Sequence, residues 1–563
     1  MGYMSEIKNC KICQKSFEIA NEDLEFYDKI SPVIKGVKYI LPAPVICPKC
    51  RMQRLTAFRN ERVLYKRKCD FSGKDIISVY PPTFKNPVYD QAVWWSDKWD
   101  PLTYGKDFDF NRPFFDQFEE LLKKVPSINL QNRNNETSEY CNDTNDLKNC
   151  YLCFNSEQAE NCHYCNTFGL TSRDCMDMFW CFECELSYEC VKVSNSYRSF
   201  WSMNSQNLNE CFFCDDCQSC TDCFGCVGLR HKQYCIFNEQ KTKEEYQEFM
   251  KTFVFSNENI KKTKEKVSEI SKKIPRLYSH LLASEDCVGD YIMQSKNCKF
   301  CFDVMMSEGL KYVWDGMMQN SQDCFNSGMD STFLYGCVGV YLTNNSKFCI
   351  KCSLGCSDLF YSDYCFSSQN LFGCIGLRHK QYCILNRQYS KEQYEELLPK
   401  IIEHMKKNGE WGEFYPQQMS PYGYNDTLAQ EYFPLSREEA IAKGFNWNDY
   451  LKPKIAAQKT FALNDKGTIK EINDDILNSA LICEKDGNPY KVISQELELY
   501  RKLGVPVPKL CPDCRHYSRK ALINPRKLWN RNCAKCGVDL KTTYAPERPE
   551  IIYCEKCYLE AVY

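Results

Sequence analysis

CFGCVGLRHKQYCIFNEQ, residues 223–240, recurs as LFGCIGLRHKQYCILNRQ at residues 371–388. The offset is 371 − 223 = 148 residues, and at that offset Cys150, Cys153, Cys217, Cys226 and Cys235 fall on Cys298, Cys301, Cys365, Cys374 and Cys383. Five ungapped coincidences predict a tandem duplication, with one module over 137–280 and a second over 281–408. Each module runs into a helix start signal, the capping boxes Thr242 with Glu245 and Ser390 with Gln393.

A shorter rhythm lies inside the module. The pairs 141/150, 153/162, 175/184, 181/190, 211/220, 214/223, 217/226 and 226/235 are cysteines nine residues apart. Asn or an acidic residue often stands just before the cysteine: Asn149, Asn161, Asp174, Glu189, Glu210, Asp216 and Asp222. Asn and Asp suit turns and left-handed backbone, and cysteine is small and apolar enough to point inward. A repeated polar turn followed by an inward cysteine predicts a parallel β-solenoid with coils of roughly 18–21 residues, each stacked on the next. Tyr151, Phe154, Tyr164, Phe179 and Phe212 either fill its interior or decorate its sides. The fold class expected is mainly β with helical connectors: two tandem parallel β-solenoid modules flanked by zinc ribbons.

Three readings compete for the run Cys211, Cys214, Cys217, Cys220, Cys223 and Cys226: an iron–sulfur cluster, extra zinc or copper(I), and packed free thiols. Packing is favoured, because cysteine prefers burial and no Cys-Pro follows as in bacterial ferredoxins. GLRHKQY invites a catalytic reading through Arg230, His231, Lys232 and Tyr234, repeated as Arg378, His379, Lys380 and Tyr382. With no acid or nucleophile at a definable spacing, it is better read as the seal of a last coil. His163, inside CHYC, is read as a structural neighbour. No catalytic residue is assigned.

The chain has 563 residues, 43% hydrophobic and 26% charged, with 72 basic against 74 acidic side chains. This excludes a disordered chain, a membrane-like composition and a uniformly basic nucleic-acid coat. Its 39 cysteines are the anomaly, and the odd total prevents a fully paired set. The opening MGYMSEIKNC has no apolar signal core, and Glu6 stands where N-myristoylation wants Ser or Thr. The expected location is therefore the cytoplasm, and the expected state of sulfur is thiol or metal thiolate.

Cys10-x2-Cys13 with Cys47-x2-Cys50, and Cys533-x2-Cys536 with Cys554-x2-Cys557, each offer two corners of a closed four-thiolate zinc site. A diverged copy of the first ribbon lies between them. Cys10 matches Cys483, Tyr27 matches Tyr500, and CPKCR from Cys47 matches CPDCR from Cys511, completed by Cys514. Cys13 corresponds to Asp486, which leaves open a Cys3Asp zinc, a site completed by His516, and a metal-free relic. Two to three structural zinc ions are expected.

Residues 80–118 are rich in aromatic rings, with Trp94, Trp95 and Trp99 beside Asp97, Asp100, Asp107 and Asp109. They could hold a hard cation or stack sugars or bases, but an end cap for the solenoid is the simpler reading. Arg112-Pro113 then opens a short helix. The organisation expected is a ribbon with a basic segment over 1–70, this arm and helix over 71–136, and the two modules. A second aromatic arm and helical linker covers 409–475, with Ser436 and Glu439 as its capping box. The diverged ribbon covers 476–525 and the last ribbon 526–563.

Charge is uneven. Cys47 to Asp70 carries eight basic residues against two acidic, a net of +6, and Arg501 to Lys541 carries eleven against two, a net of +9. Asn135 to Gln240 carries six against sixteen, a net of −10. Basic ribbons fit nucleic acid, RNA or DNA, with Arg51, Arg54, Arg59, Arg62, Lys66, Arg67, Lys68, Arg515, Arg519 and Lys520 as contact candidates. The other reading of the charge map is intramolecular, the basic ends docking on the acidic solenoid. The alternative function is a protein–protein interaction platform using the solenoid faces. An enzyme with its site at GLRHKQY or the Asp/Trp arm comes third. No membrane and no small-molecule substrate is expected.

CPKCRMQRLTAFRNERVLYKRKCDFSGKDIISVYPP, WWSDKWDPLTYGKDFDFNRPFF, the GLRHKQY repeat, EYFPLSREEA and YAPERPEIIYCEKCY together resemble one family. It is a cysteine-rich zinc-ribbon protein family frequent in candidate-phyla-radiation bacteria. The resemblance covers almost the whole chain and implies a bacterial intracellular protein, without an activity to carry over. The CPxCR ribbons also resemble a broader zinc-ribbon domain, which implies metal binding alone.

Overall fold

The residue before each inward cysteine decides the backbone. Asn149, Asn161, Asp174, Glu189, Glu210, Asp216 and Asp222 all have φ between 50 and 55°, the left-handed region that Asn and Asp tolerate best. The computed structural model describes residues 4–166, 172–182, 185–453 and 459–562. In it left-handed residues recur at every third position, as at Asn149, Leu152, Asn155, Gln158, Asn161 and Tyr164. Each side of a coil is thus three residues long: one outward and bridged to its neighbours, one left-handed corner, one inward. Bridges run parallel from Glu136 to Lys148 to Glu160 and from Tyr197 to Asn209 to Thr221, steps of 12 residues. Single-residue slips make the step 13 at Glu160 to Arg173 and 11 at Glu285 to Lys296.

Both modules are parallel β-solenoids of this kind, but their coils are shorter than the 18–21 residues expected. Nine residues are three sides of a four-sided, 12-residue coil, not half of a longer one. So short a coil encloses a narrow tube, and the described inward positions carry Cys, Ser, Thr and Ala interspersed with larger aliphatics, few in module one (Leu147, Met178, Val193, Leu208) and more in module two. No cysteine whose side chain is described is in a disulfide; the side chain of Cys181 and the whole of Cys184 lie outside the described residues. The aromatic rings of Tyr151, Phe154, Phe179 and Phe212 stand at outward, bridged positions, so they decorate the sides rather than fill the tube.

Hydrogen bonding explains why small polarizable groups suit that tube. On each side the bridged residue donates to the next coil (Lys148 N–H to the Ala159 carbonyl, 2.9 Å) and the corner donates to the previous one (Asn149 N–H to the Glu136 carbonyl, 3.1 Å). The inward residue's N–H is left, buried, and needs an acceptor. Where the inward side chain one coil earlier is Ser or Cys, it supplies that acceptor: Ser138 Oγ accepts from Cys150 N–H at 3.0 Å, and Ser205 Oγ from Cys217 N–H at 3.0 Å. The cysteine then donates in turn, Cys153 Sγ to the Cys162 carbonyl at 3.2 Å and Cys211 Sγ to the Cys220 carbonyl at 3.4 Å. Alanine would fill the space but leave that N–H unpaired.

The chain packs as two units, Met1–Leu130 with Ser279–Tyr450, and Gln131–Tyr278 with Leu451–Tyr563. The N-terminal ribbon therefore belongs with the second module, and the two later ribbons with the first. In the first unit the helices Asn21–Ile30 and Pro48–Thr56 lie on module two, with the Tyr27 and Tyr335 rings 5.3 Å apart. The aromatic arm closes this module's last coil. Trp94 packs on Phe366 at 5.9 Å, Phe114 of the helix Phe114–Lys124 on Phe372 at 5.3 Å, and Asn386 Nδ2 donates to the Pro101 carbonyl at 3.1 Å.

In the second unit the helices Ser494–Leu503 and Pro512–Lys520 take the corresponding place on module one, with Tyr500 5.9 Å from Tyr188. The three capping boxes at Thr242, Ser390 and Ser436 form as the sequence predicts and open helices at Lys243–Thr252, Lys391–Lys407 and Arg437–Ala442. The glycine of the repeated FGC is left-handed in both copies. A Cβ on Gly225 would meet the Phe237 ring at 2.5 Å, and one on Gly373 the Phe114 ring at 2.8 Å.

Candidate metal centres

A zinc knuckle is a hairpin whose tip folds two ligands to one side. At the first, Gln14 N–H donates to the Cys10 carbonyl and Cys10 N–H to the Lys15 carbonyl, both at 2.9 Å, with left-handed Gln14 making the turn. Cys483 repeats this with Gly487 and Asn488, and Cys533 with Gly537 and Val538. The other two ligands come from the start of a helix, Cys47 and Cys511 each preceding a proline at its first turn.

Three groups result: Cys10, Cys13, Cys47 and Cys50; Cys533, Cys536, Cys554 and Cys557; and Cys483, Asp486, Cys511 and Cys514. Within each, the ligand atoms all lie within 4.8 Å of one another. Zn–S bonds of about 2.3 Å in a tetrahedron give S···S edges of about 3.8 Å, and a Zn–O bond of about 2.0 Å gives S···O edges of about 3.5 Å. Cys13 Sγ is 3.7 Å from Cys47 Sγ, and Cys536 Sγ is 3.8 Å from Cys554 Sγ. Asp486 Oδ2 is 3.5 Å from Cys511 Sγ and 3.3 Å from Cys514 Sγ. These side chains fit a four-coordinate metal. Contact with Cys50 pulls the Cys47 thiol down to about 5, toward the thiolate a metal needs.

Asp486, not His516, completes the diverged site. His516 is buried against the Phe179 ring at 5.1 Å. The backbone N–H of Asn488 reaches Asp486 Oδ1 at 3.0 Å and holds its carboxyl well below the usual range, leaving Oδ2 turned toward the sulfurs.

A fourth knuckle is present that the spacing of cysteines does not reveal. Gly73 N–H donates to the Cys69 carbonyl and Cys69 N–H to the Lys74 carbonyl, both at 2.8 Å, between the strands Tyr65–Lys68 and Asp75–Ser78. It matches Cys533 at an offset of 464, the same offset that carries Cys47 to Cys511 and Arg51 to Arg515. At that offset Ser72, Asp90 and Val93 stand where the C-terminal site has Cys536, Cys554 and Cys557. Asp90 N–H donates to Cys69 Sγ at 3.2 Å, as Cys554 N–H does to Cys533 Sγ at 3.3 Å. The hairpin persists with one thiol. Its signal in the sequence is the 464-residue offset of the CPxCR segments, which extends to Cys69 and Cys533.

The basic candidates turn largely inward. Arg51 Nε pairs with Asp323 at 2.9 Å, both nearly buried, and Arg54 with Glu413 at 3.6 Å. Arg59, fully buried, donates to Glu61 at 2.6 Å. Arg515 Nε reaches Asp177 at 2.7 Å and Arg519 Nη1 reaches it at 3.0 Å. Arg67 is tied to Asp70 at 2.9 Å, while Arg62 and Lys520 are half-buried. Lys66 and Lys68 are exposed, Lys68 2.9 Å from Asp75. Asp177 and Asp323 are both left-handed solenoid corners. Asp23 and Glu496, equivalent at an offset of 473, complete the likeness: Lys311 reaches Asp23 at 2.7 Å, and Tyr164 Oη donates to Glu496 at 2.7 Å.

GLRHKQY anchors the packing. Arg378 stacks on the Trp94 and Trp99 rings at 5.6 Å, and Arg230 on Tyr558 at 5.7 Å with Asp216 3.0 Å away. Trp94 and Tyr558 are again equivalent by the 464 offset. Tyr234 and Tyr382 pack on Tyr246 and Tyr394 of the helices that follow. The aspartates of the arm form no metal-sized group among the described residues: Asp97 and Asp100 face Arg378, Asp100 also accepts from Leu102 N–H, Asp107 pairs with Arg387 at 2.5 Å, and Asp109 accepts from Asn111 N–H. The six-cysteine run lines two successive coils. Among the described residues its thiols do not gather into a metal-sized group as the ribbon ligands do.

No family model matches the chain, and no curated protein matches it. Among solved structures, a protein from Desulfovibrio desulfuricans G20 described as an acetyltransferase aligns with 48% of this chain and 68% of its own. The identity is 9% and the TM-score 0.09, a likeness that carries no argument about fold or function. No helix among the described residues is long and apolar enough to cross a membrane.

Proposed function

We propose that the chain is a non-enzymatic scaffold, stabilised by three zinc ions, that binds another macromolecule in a reducing, cytoplasmic setting, and that this partner is a protein. The observation that carries the reading is the inward turn of the CPxCR arginines. Arg51 and Arg515 are spent on Asp323 and Asp177, so the ribbons act as clamps on their solenoids. Closed four-ligand sites suit that role, since a catalytic zinc keeps a position open.

Mixed surface charge favours a protein over nucleic acid. A groove of about 1230 Å³ in the second unit is lined by Lys261, Lys264 and Lys509 but also by Glu189, Asp465 and Glu484. Lys264 pairs with Glu189, and Lys509 with Asp465 and Glu484. The test is purification of the native protein with elemental analysis and identification of what accompanies it. A defined protein that stays bound after nuclease treatment supports the reading. Retention on RNA or DNA that falls steeply with salt, and weakens when Lys66, Lys68 and Lys520 are changed to Ala, overturns it in favour of nucleic acid.

A further inference from the structure

We propose that the site of Cys483, Asp486, Cys511 and Cys514 is an exchangeable divalent-metal site, distinct in kind from the two four-cysteine sites of the same chain. The inference rests on the reading that the ribbons hold zinc. It adds that one of the three gives its metal up and takes it back while the others keep theirs.

The geometry is that of a built site. Asp486 stands on the same knuckle turn as Cys13 and Cys536, and its two oxygens have separate tasks. Oδ1 accepts from Asn488 N–H at 3.0 Å, which fixes the carboxylate plane. Oδ2 lies 3.5 and 3.3 Å from Cys511 and Cys514 Sγ, the edges expected of one oxygen and two sulfurs around a common zinc. Cys483, Cys511 and Cys514 are buried, whereas Asp486 is exposed, as its counterpart Cys536 is.

The chemistry of the fourth ligand makes the difference. Zinc is borderline-soft, and its bond to a thiolate is more covalent than its bond to a carboxylate oxygen. An exposed carboxylate competes with water for its place on the metal. When Oδ2 leaves, the zinc stays on three thiolates with one open position, and an incoming thiol or chelating ligand can enter there. The carboxylate is held near by the Asn488 N–H and closes the site again on return. In a four-thiolate site the same step breaks a Zn–S bond, and no hard ligand stands ready to leave.

The test uses the full chain loaded with zinc and a chromophoric chelator in excess. One equivalent is expected to leave at least about tenfold faster than the other two, the scale on which ligand environment shifts zinc binding. Asp486→Cys restores the residue found at Cys13 and moves the fast equivalent into the slow class. Cobalt(II) substitution gives a second readout. Sulfur-to-cobalt charge transfer rises from eleven thiolates (4 + 4 + 3) to twelve in the variant. Three zinc ions leaving in a single slow class, in chain and variant alike, overturn the inference while the zinc reading stands. Two zinc ions in the native chain and three in Asp486→Cys also overturn it, because the carboxylate site then takes no metal. Fewer than two zinc ions per native chain overturn the zinc reading itself.

Discussion

Cys214 tests whether sulfur in the solenoid fills space or binds metal. It lies in an inward column with Ser202 one coil before and Cys226 one coil after. Its Sγ lies 3.7 Å from both the Phe212 and the Cys223 carbonyl oxygens, to either of which its single S–H can donate. Ser202 Oγ donates to the Phe200 carbonyl at 3.4 Å and accepts from Cys214 N–H at 3.3 Å. Cys214→Ser therefore repeats a side chain the column already accommodates, with its hydrogen bonds kept. The cost is the apolar contact of one sulfur, about 1 kcal/mol on the scale of one buried methylene. Cys214→Leu must place a larger branch among Cys211, Cys217, Cys223 and Cys226, all at most 1% exposed, with none of these neighbours reduced in size to make room. Overpacking of that kind costs about 1–3 kcal/mol or more. Urea unfolding followed by circular dichroism, with zinc per chain measured beforehand, reads both variants. A small midpoint shift for Cys214→Ser, a larger one for Cys214→Leu and unchanged metal in both are expected. Metal lost from Cys214→Ser, or a serine variant as unstable as the leucine one, would refute the argument.

Arg51→Met strands the buried Asp323 carboxylate and is expected to lose about 3–5 kcal/mol, most of it regained in Arg51→Met/Asp323→Asn, as a double-mutant cycle by urea unfolding will show. Asp363 is pushed up to about 7 by burial, so the folded state holds its proton from about pH 4 to pH 7 while the unfolded state does not. Stability then falls as pH rises through that window, by up to roughly 4 kcal/mol; Asp363→Asn should raise the melting temperature at pH 8, converge with the native protein near pH 4, and is refuted by a pH-independent difference. Ser72→Cys/Asp90→Cys/Val93→Cys should rebuild the missing ligands of the Cys69 knuckle and add one zinc per chain by elemental analysis. Arg378→Ala removes the cation between Trp94 and Trp99 and should cost about 1–2 kcal/mol in melting experiments, leaving zinc content unchanged.

The sequence announces the solenoid through what its backbone requires. Asn149, Asn161 and Asp174 mark left-handed corners, and the cysteines that follow them mark the interior. It conceals the coil length, because inward positions recur every three residues and cysteine takes only some of them. Serines at 199, 202 and 205 fill the same role, and a search restricted to cysteine sees a period of nine. The twelve candidate metal ligands are legible from spacing and from the match of Cys13 to Asp486. The fate of the arginines is not. Arg51 and Asp323 are 272 residues apart, and nothing local tells a basic helix that faces a carboxylate from one that faces solvent. The Cys69 knuckle was hidden for a different reason: three of its four ligand positions have changed while the hydrogen bonds of its turn remain.

The division of the chain into Met1–Leu130 with Ser279–Tyr450 and Gln131–Tyr278 with Leu451–Tyr563 has a consequence for biosynthesis. At roughly 5–20 residues per second, the first segment waits on the order of ten seconds for the surface it packs against to leave the ribosome. The second segment waits as long again for its own partner. Nascent chains released early therefore carry aromatic faces without their covers, and they are the species that chaperones would meet. By the same logic, a nick after Tyr278 splits both units at once, so two separately made polypeptides divided there should fold only when mixed.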